Sequence, residues 1–296
     1  MKTSTRGLLL IIISGIVFGI QPSAVQYCYQ QGAVPVLVLL FRYGILALIL
    51  LPVVLRQKDT WRYYKEHFWH FLLLGLASSS TPLLIYTAYR FLGTSLATGI
   101  HYFYPAVTAI LGLIFLREKL SLLKIIALVF SVGGIFIMVD FNEGFHLGGA
   151  LIALASSVTF ASYIVLLRRL KAPGISSWQI LFFVAVNSFV FLGIYGLASG
   201  DLIRAVPAVT PTGWILLPVV TAVIAVFGTL FFTFGARETD ALTSAIASTL
   251  EPIVCFLIGI FFLHEPYSVR TIIGAVLVIS AVVLLAFAEK IKTRNH

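Results

Sequence analysis

The sequence predicts an all-α integral membrane protein whose ten transmembrane helices form two inverted five-helix repeats. Hydrophobic residues make up 60% of the 296 positions and charged residues only 10%, whereas soluble domains are about 25% charged. Apolar stretches of about 20 residues, the length that crosses a bilayer, recur along the whole chain. One segment also occurs twice, which indicates an internal duplication.

The duplicated segment starts at a proline motif and ends at a glutamate. Residues 103–118 match residues 250–265 after a shift of 147 positions, and both copies place a glutamate thirteen residues after the proline. A weaker match, shifted by 142 positions, relates residues 14–19 to residues 156–161. In residues 14–19, Gly15 and Gly19 have the four-residue spacing that lets helices approach closely in lipid. The duplication predicts one five-helix repeat in residues 1–140 and a second in residues 141–296.

Ten apolar runs are long enough to span a membrane. They cover residues 7–27, 34–55, 68–90, 95–116, 120–139, 147–168, 177–198, 212–234, 241–263 and 268–288. The linkers between the runs are short and leave no room for a soluble domain.

The distribution of lysine and arginine predicts the orientation, because cytoplasmic loops are enriched in both. With the N-terminus in the cytoplasm, sixteen of them lie on that side, and only Arg90, Arg204 and Arg270 lie on the other. We therefore expect a multi-pass protein of the cell (inner or plasma) membrane with both termini in the cytoplasm. Since five helices per repeat is an odd number, the second repeat is inverted, an arrangement typical of secondary transporters. A duplicated membrane protein that transports nothing is the alternative.

The net charge of +9 does not indicate nucleic-acid binding, because the basic residues lie in short clusters between apolar runs. Cys28 and Cys255 both fall in or beside apolar runs, so they predict neither a disulfide framework nor a metal site. No cofactor is expected. The expected partners are the lipid bilayer and a small-molecule substrate, with protons as a candidate coupling ion and the oligomeric state left open.

Polar residues inside the ninth run form a stripe along one helical face. Ser244, Ser248, Glu251 and Cys255 are spaced by three or four residues, which places them on one side of a helix. The 147-residue shift maps this stripe onto residues 97–108 of the fourth run, which include His101 and Tyr104. Two matching stripes predict a site near the bilayer midplane, at the interface of the repeats.

Glu251 and Arg42 are the charged residues that lie deep inside the predicted helices, away from their ends. A buried carboxylate can carry a proton or bind a substrate amine, or it can be a structural group beside Pro252. Arg42 can bind a substrate carboxylate, pair with Glu251, or extend towards the membrane surface.

The other candidates are polar or aromatic residues at membrane depth, where such residues usually face the bundle interior. They are Ser79 and Tyr86 in the third run, Gln21 in the first, Tyr163 at the equivalent position of the sixth, and Asn187 in the seventh. The sequence Ser78–Pro82 combines hydroxyls with a proline and is typical of a bent or broken helix. For each serine the alternative is a hydrogen bond to its own helix, and for His101 the alternative to a proton relay is core packing. Glu118 and Glu265 precede the fifth and tenth runs, and we interpret them as structural residues at those helix starts.

The two proline–glutamate blocks, residues 250–252 (Leu-Glu-Pro), residues 41–43 (Phe-Arg-Tyr) and residues 88–97 together resemble the drug/metabolite transporter superfamily, in particular the ten-helix EamA-type permeases. The resemblance covers nearly the whole chain. It implies a central cavity lined by helices 1–4 and 6–9, with helices 5 and 10 at the periphery. It also implies transport of a small metabolite such as an amino acid, nucleoside or drug-like solute.

An enzyme is the rival class. Residues 264–268 (His-Glu-Pro-Tyr-Ser) lack the second histidine of the His-Glu-x-x-His zinc motif, and no Gly-x-Ser-x-Gly or Cys-x-x-Cys motif is present. The chain also lacks a phosphate-binding loop, so it does not itself use ATP. We expect a secondary permease rather than an enzyme, with a membrane sensor or scaffold as a further alternative.

Overall fold

The computed structural model describes residues 5–92, 94–118, 120–138, 146–170, 174–263 and 268–294, and these residues contain helices and no strand. The spanning helices are α1 (Thr5–Gln30), α2 (Pro35–Leu55), α3 (Phe68–Ala88), α4a (Thr94–His101) with α4b (Tyr104–Leu111), α5 (Leu122–Met138), α6 (Leu147–Arg169), α7 (Ser177–Ala198), α8 (Pro211–Glu238), α9a (Ala241–Ser248) with α9b (Glu251–Leu263), and α10 (Val269–Arg294). Short helices at Thr60–Glu66 and Asp201–Ala205 lie in the linkers and were not predicted.

The multi-spanning prediction is confirmed. Seven helices in the described part of the chain are long and apolar enough to cross a membrane, and three shorter apolar helices coincide with the remaining predicted runs. The Glu265 prediction falls outside the described residues.

Helix packing follows the duplication. Helix α1 packs against α8 and α9, and its counterpart α6 packs against α3 and α4, so the same contacts recur with the two halves exchanged. Helix α2 packs against its counterpart α7, and α5 packs against its counterpart α10. Each half therefore supplies helices to the other half's core, and the bundle has one shared interior.

Two spanning helices are interrupted at repeat-related positions. Residues 102–103 separate α4a from α4b, and residues 249–250 separate α9a from α9b. Each break lies just before a proline, Pro105 or Pro252, whose missing N–H removes a hydrogen bond to the preceding turn. The runs 95–116 and 241–263 are thus spans as predicted, but neither is a continuous helix.

Helix α3 shows the opposite outcome, because it stays continuous through Pro82. The sequence of residues 78–82 predicted a bent or broken helix, and the prediction of a break was wrong. The carbonyl of Ser78, which Pro82 cannot bond, instead accepts a hydrogen bond from the Tyr43 hydroxyl at 2.7 Å. The hydroxyls of Ser79 and Thr81 bond to carbonyls one turn earlier in the same helix. A donor from α2 therefore satisfies the backbone that the proline leaves unpaired.

Of the close approaches predicted at Gly15 and Gly19, the one at Gly19 is present, whereas a Cβ atom on Gly15 would have its nearest neighbour at 3.8 Å. A Cβ atom placed on Gly19 would lie 2.5 Å from the Val254 Cβ and 2.7 Å from the Glu251 carbonyl oxygen. Helix α1 thus contacts α9b through its glycine face, and this contact holds α1 against the second break.

The packing predicts that Gly19→Val destabilises the protein by about 1–3 kcal/mol, because the added side chain has no space against α9b. Gly193→Val in α7 is the matched control, since a Cβ there has no neighbour within 4 Å. Thermal unfolding in detergent measures both variants. Equal melting temperatures for the two would contradict the close packing of α1 on α9b.

Candidate functional site

The two helix breaks bring four predicted site residues to equivalent positions. His101 ends α4a and Tyr104 begins α4b, while Ser248 ends α9a and Glu251 begins α9b. Interrupted helices of this kind expose backbone groups near the middle of the membrane and form the binding sites of many transporters. The predicted polar stripes therefore lie at the breaks themselves.

Four tyrosines lie in the neighbourhood of Glu251. Its half-buried carboxyl lies beside the Tyr102 hydroxyl, and Tyr86, Tyr89 and Tyr104 lie within electrostatic range. Sequence reasoning missed Tyr102 and Tyr89. Tyr102 could have been found from the duplication, because the 147-residue shift places it opposite Thr249 at the second break.

An aromatic wall extends from this carboxyl along α4 to α6. The ring of Tyr104 lies 4.7 Å from that of Phe160, 5.7 Å from that of Tyr102 and 5.4 Å from that of His101. His101 Nδ1 shares a hydrogen bond of 2.9 Å with Ser156 Oγ. The buried Tyr104 hydroxyl lies near Ser248 but forms no hydrogen bond of good geometry with a described residue.

Arg42 is buried on α2, with only 8% of its surface exposed. Its Nε and Nη2 atoms donate to Thr229 Oγ1 at 3.1 and 2.6 Å, and its guanidinium lies over the rings of Phe18 and Tyr43. Thr229 belongs to the π-helical segment Ile224–Leu230 within α8, a local distortion often found at functional sites.

Arg42 lies within electrostatic range of Glu251, yet the two form no ion pair within 4 Å in the described part of the chain. The Arg42 guanidinium and the Glu251 carboxyl therefore lie in one region of the bundle without a direct ion pair.

Gln21 and Tyr163 extend the site to α1 and α6. Gln21 Nε2 donates to the Tyr86 hydroxyl at 2.8 Å, and the rings of Tyr86 and Tyr29 form a T-shaped pair with centroids 6.4 Å apart. The Tyr163 hydroxyl shares a hydrogen bond of 3.2 Å with Thr233 of α8. Both residues are therefore fixed by partners on another helix.

Two candidates are engaged elsewhere. Ser79 donates to the Gly75 carbonyl of its own helix. Asn187 accepts a hydrogen bond from Tyr64 at 3.1 Å, and its buried Nδ2 has no partner among the described residues. The contacts of Asn187 are thus with α3 and the linker helix rather than with the tyrosines near Glu251.

A second charged cluster joins the two halves at the end of the bundle where α1 begins. Lys124 Nζ donates to Asp240 Oδ2 at 2.6 Å, and both side chains are about one-tenth exposed. Burial would raise the pKa of Asp240, but the charge and hydrogen bond of Lys124, with the Thr243 N–H, hold that pKa below its ordinary value.

The Glu118 carboxylate accepts hydrogen bonds from the Ala241 N–H at 3.1 and 3.2 Å. Burial, followed by the charge of Asp240, raises the pKa of Glu118. Glu118 thus contacts the start of α9a, not the start of α5 as we expected, because the loop carrying it packs against the other half of the chain.

A groove of about 670 Å³ lies apart from both clusters, between α2 and α7. Its walls are apolar and include Leu40, Gly44, Phe189 and the outward-facing Leu48, which is 69% exposed. It opens towards the expected lipid and contains none of the predicted site residues.

The family model described as the EamA-like transporter family matches the chain twice, over residues 5–140 and 147–287. The chain belongs to the EamA-like transporter family. The resemblance predicted from the proline–glutamate blocks is therefore confirmed, and the two matches correspond to the two halves of the duplication.

The alignments of this EamA-like transporter with three relatives cover most of this chain and most of each relative. It is 26% identical to the uncharacterized transporter YvbV of Bacillus subtilis, over 98% of this chain and 93% of that protein. It is 24% identical to human solute carrier family 35 member G1, over 93% and 77%. It is 24% identical to the chloramphenicol-sensitive protein RarD of Pseudomonas aeruginosa, over 90% and 89%.

A crystal structure of a 15% identical protein has the same fold, with a TM-score of 0.76 over 98% of this chain and all of that chain.

The buried Lys124–Asp240 pair predicts a specific pattern of stabilities. Asp240→Asn leaves an uncompensated buried charge and should cost about 3–5 kcal/mol, whereas Lys124→Met with Asp240→Asn removes both charges and should cost much less. Asparagine at position 240 keeps the cap on α9a. Chemical denaturation in detergent measures both variants. The contribution of the wild-type ion pair to the free energy of unfolding should persist at neutral pH. It should be lost only as the pH falls below 3.8, the ordinary pKa of Asp240, because the pKa in the folded protein is lower still.

If the double variant unfolds as easily as Asp240→Asn, the ion pair is not the interaction that joins these helices.

Proposed function

We propose that this EamA-like transporter is a secondary active permease that moves a small metabolite, such as an amino acid, nucleoside or drug-like solute, by alternating access. The observation that carries the proposal is the pair of repeat-related helix breaks, with Glu251 at one break and Arg42 within electrostatic range. Two inverted halves that share one interior can exchange conformations and open that interior to each side in turn.

In this proposal the protein lies in the cell membrane with both termini in the cytoplasm. The excess of lysine and arginine in alternate loops supports that orientation. The Lys124–Asp240 pair then closes the cytoplasmic end of the bundle, because it joins α5 of the first half to the start of α9 in the second half.

Glu251 is the proposed coupling residue. A carboxyl among tyrosines in the bundle interior can take up a proton or a cationic group from one side and release it to the other. Arg42 is the proposed contact for a substrate carboxylate, because the described residues place no acidic group within 4 Å of it and Thr229 holds its guanidinium in position.

Purified protein in liposomes tests the transport proposal directly. Uptake of a solute from a metabolite panel, driven by a pH or solute gradient, is the expected result. Release of a chemically altered product without net flux would instead indicate an intramembrane enzyme.

Glu251→Gln should abolish flux driven by a pH gradient, because glutamine keeps the shape of the side chain but cannot exchange a proton. The matched control is Glu238→Gln at the bundle end, where the carboxyl is partly exposed and 3.9 Å from Arg6. Proton-driven uptake in liposomes measures both variants. Uptake by Glu251→Gln equal to that of the control would rule out Glu251 as the proton carrier.

Arg42→Ala should weaken binding of carboxylated solutes by about tenfold or more, since a charge-assisted hydrogen bond contributes about 1.5–3 kcal/mol. Neutral solutes should lose much less, which separates substrate contact from structural damage. Competition assays with matched acid and amide forms of one solute measure the difference. An equal loss for both forms would assign Arg42 a structural role.

A further inference from the structure

The linker helix Thr60–Glu66, between α2 and α3, is fixed to the bundle by one of its faces. Thr60 Oγ1 accepts a hydrogen bond from Gln179 Nε2 at 2.8 Å. One turn further along, the Tyr64 ring stacks on that of Phe183 with centroids 4.5 Å apart. Both contacts join the linker helix to α7, so the opposite face of this short helix has a fixed direction away from the bundle.

The outer face of the linker helix combines basic and indole side chains. Trp61 and Lys65 are one helical turn apart on this face, and both are exposed, Trp61 by 56%. Lys58, just before the linker helix, and Trp69, at the start of α3, are exposed as well, Trp69 by 73%. We call these four residues the basic aromatic patch.

A series of ring contacts connects the two tryptophans of the patch. The Trp61 ring lies 6.0 Å from that of Phe183, which stacks on Tyr64. The Phe68 ring lies 5.6 Å from that of Tyr64 and 5.4 Å from that of Trp69. Exposed tryptophans beside a buried aromatic core are typical of the level at which lipid headgroups meet hydrocarbon. The rings therefore indicate that the patch lies at the membrane surface.

The positive charges of the patch are not neutralised by the protein. The acidic residues of this linker, Asp59 and Glu66, both lie beside Arg62, at 3.3 and 3.4 Å. No acidic group among the described residues lies within 4 Å of Lys58 or Lys65. Both ammonium groups can therefore bind an anion from outside the protein.

The linker helix at the other end of the bundle, Asp201–Ala205, provides a comparison. Its Arg204 pairs with Asp201 at 3.2 Å, and residues 199–209 contain neither lysine nor tryptophan. That linker has no net charge, although its Ile203 is 69% exposed. Both linkers thus expose apolar surface, but the linker that carries the patch adds free positive charge and two indole rings.

We propose that the basic aromatic patch is a binding surface for anionic phospholipids. Lys58 and Lys65 contact the phosphate of the headgroup, and Trp61 and Trp69 pack beside the glycerol and the upper part of the acyl chains. Basic groups next to a membrane surface attract anionic lipids, and indole rings favour the depth just below. In the orientation proposed above, the patch faces the cytoplasmic leaflet, which is the negatively charged one.

Lys58→Gln combined with Lys65→Gln tests the surface, because it removes both free charges and keeps polar side chains at exposed positions. The matched control combines Arg90→Gln with Arg204→Gln, which removes two positive charges from exposed positions at the other end of the bundle. The probes are phosphatidylglycerol and phosphatidylcholine with identical acyl chains. Binding to the detergent-purified protein is measured from the lipid-dependent rise in melting temperature.

The wild type should bind phosphatidylglycerol more tightly than phosphatidylcholine, and added salt should reduce this preference. The lysine variant should bind phosphatidylglycerol about 30-fold more weakly, since each lysine near the headgroups contributes about fivefold. The arginine control should stay within about twofold of the wild type. Equal binding of phosphatidylglycerol by the lysine variant and the control, or equal binding of both lipids by the wild type, would overturn the proposal.

Trp69→Gln tests the aromatic part of the patch. It should weaken the binding of both lipids by a similar factor, because an indole ring packs beside either headgroup. Unchanged binding of both lipids by this variant would overturn the proposed surface.

Glycerol 3-phosphate, which has the phosphate but no acyl chains, separates a lipid surface from a site for a soluble anion. It should leave the melting temperature of the wild type unchanged. A rise that the lysine variant loses would assign the two lysines to a soluble phosphate and overturn the proposal. None of these measurements involves flux, so their failure would leave the proposed transport function standing.

Discussion

In the interior of this bundle, every backbone carbonyl that a proline leaves unpaired has to find another donor. Bilayer hydrocarbon supplies no water for that purpose, so the donor must come from a neighbouring helix, a cavity or a ligand. Tyr43 satisfies the Ser78 carbonyl and keeps α3 continuous, while Ser157 satisfies the His101 carbonyl at the break in α4. Neighbouring helices therefore supply the donors at both of these positions.

The duplication supplies the geometry of the site, and divergence between the halves supplies its chemistry. Both halves interrupt their fourth helix at the same position relative to a proline, and both pack their first helix against the other half. The residues at the breaks differ, however: Glu251 replaces Tyr104, and Gly15 replaces Ser157. The first break therefore carries a tyrosine hydroxyl, whereas the second carries the Glu251 carboxyl at the equivalent position.

The ends of the bundle differ in the same way. Under the 147-residue shift, Lys124 corresponds to Thr271, and Asp240 corresponds to Gly93. Threonine and glycine at these two positions cannot form the equivalent ion pair at the opposite end of the bundle. In an alternating-access protein, an interaction at one end only favours the conformation that is closed there.

The helical spans and the polar stripes could be predicted, because length, hydropathy and helical spacing are local properties of the sequence. The break at Pro252 follows from the missing N–H, but the continuity of α3 at Pro82 depends on Tyr43, whose contact is tertiary. Thr229, which accepts the hydrogen bonds of Arg42, lies in a π-helical segment of α8. No sequence pattern predicts that segment, so this contact could not be predicted. The contact of Glu118 with Ala241 joins the two halves. Local sequence spacing does not specify how the halves are placed relative to each other, so this contact could not be predicted.

The account depends on the Glu251 face of α9b lining a hydrated interior rather than facing lipid. Cys255 lies one helical turn beyond Glu251, and Cys28 is fully buried, so one native thiol can report on that face. The measurement is the rate of alkylation of Cys255 in oriented vesicles by a charged maleimide that does not cross membranes. The account predicts that Cys255 reacts from the aqueous phase and that a transported solute slows the reaction. Labelling only by a lipid-soluble maleimide, with no protection by solute, would contradict it.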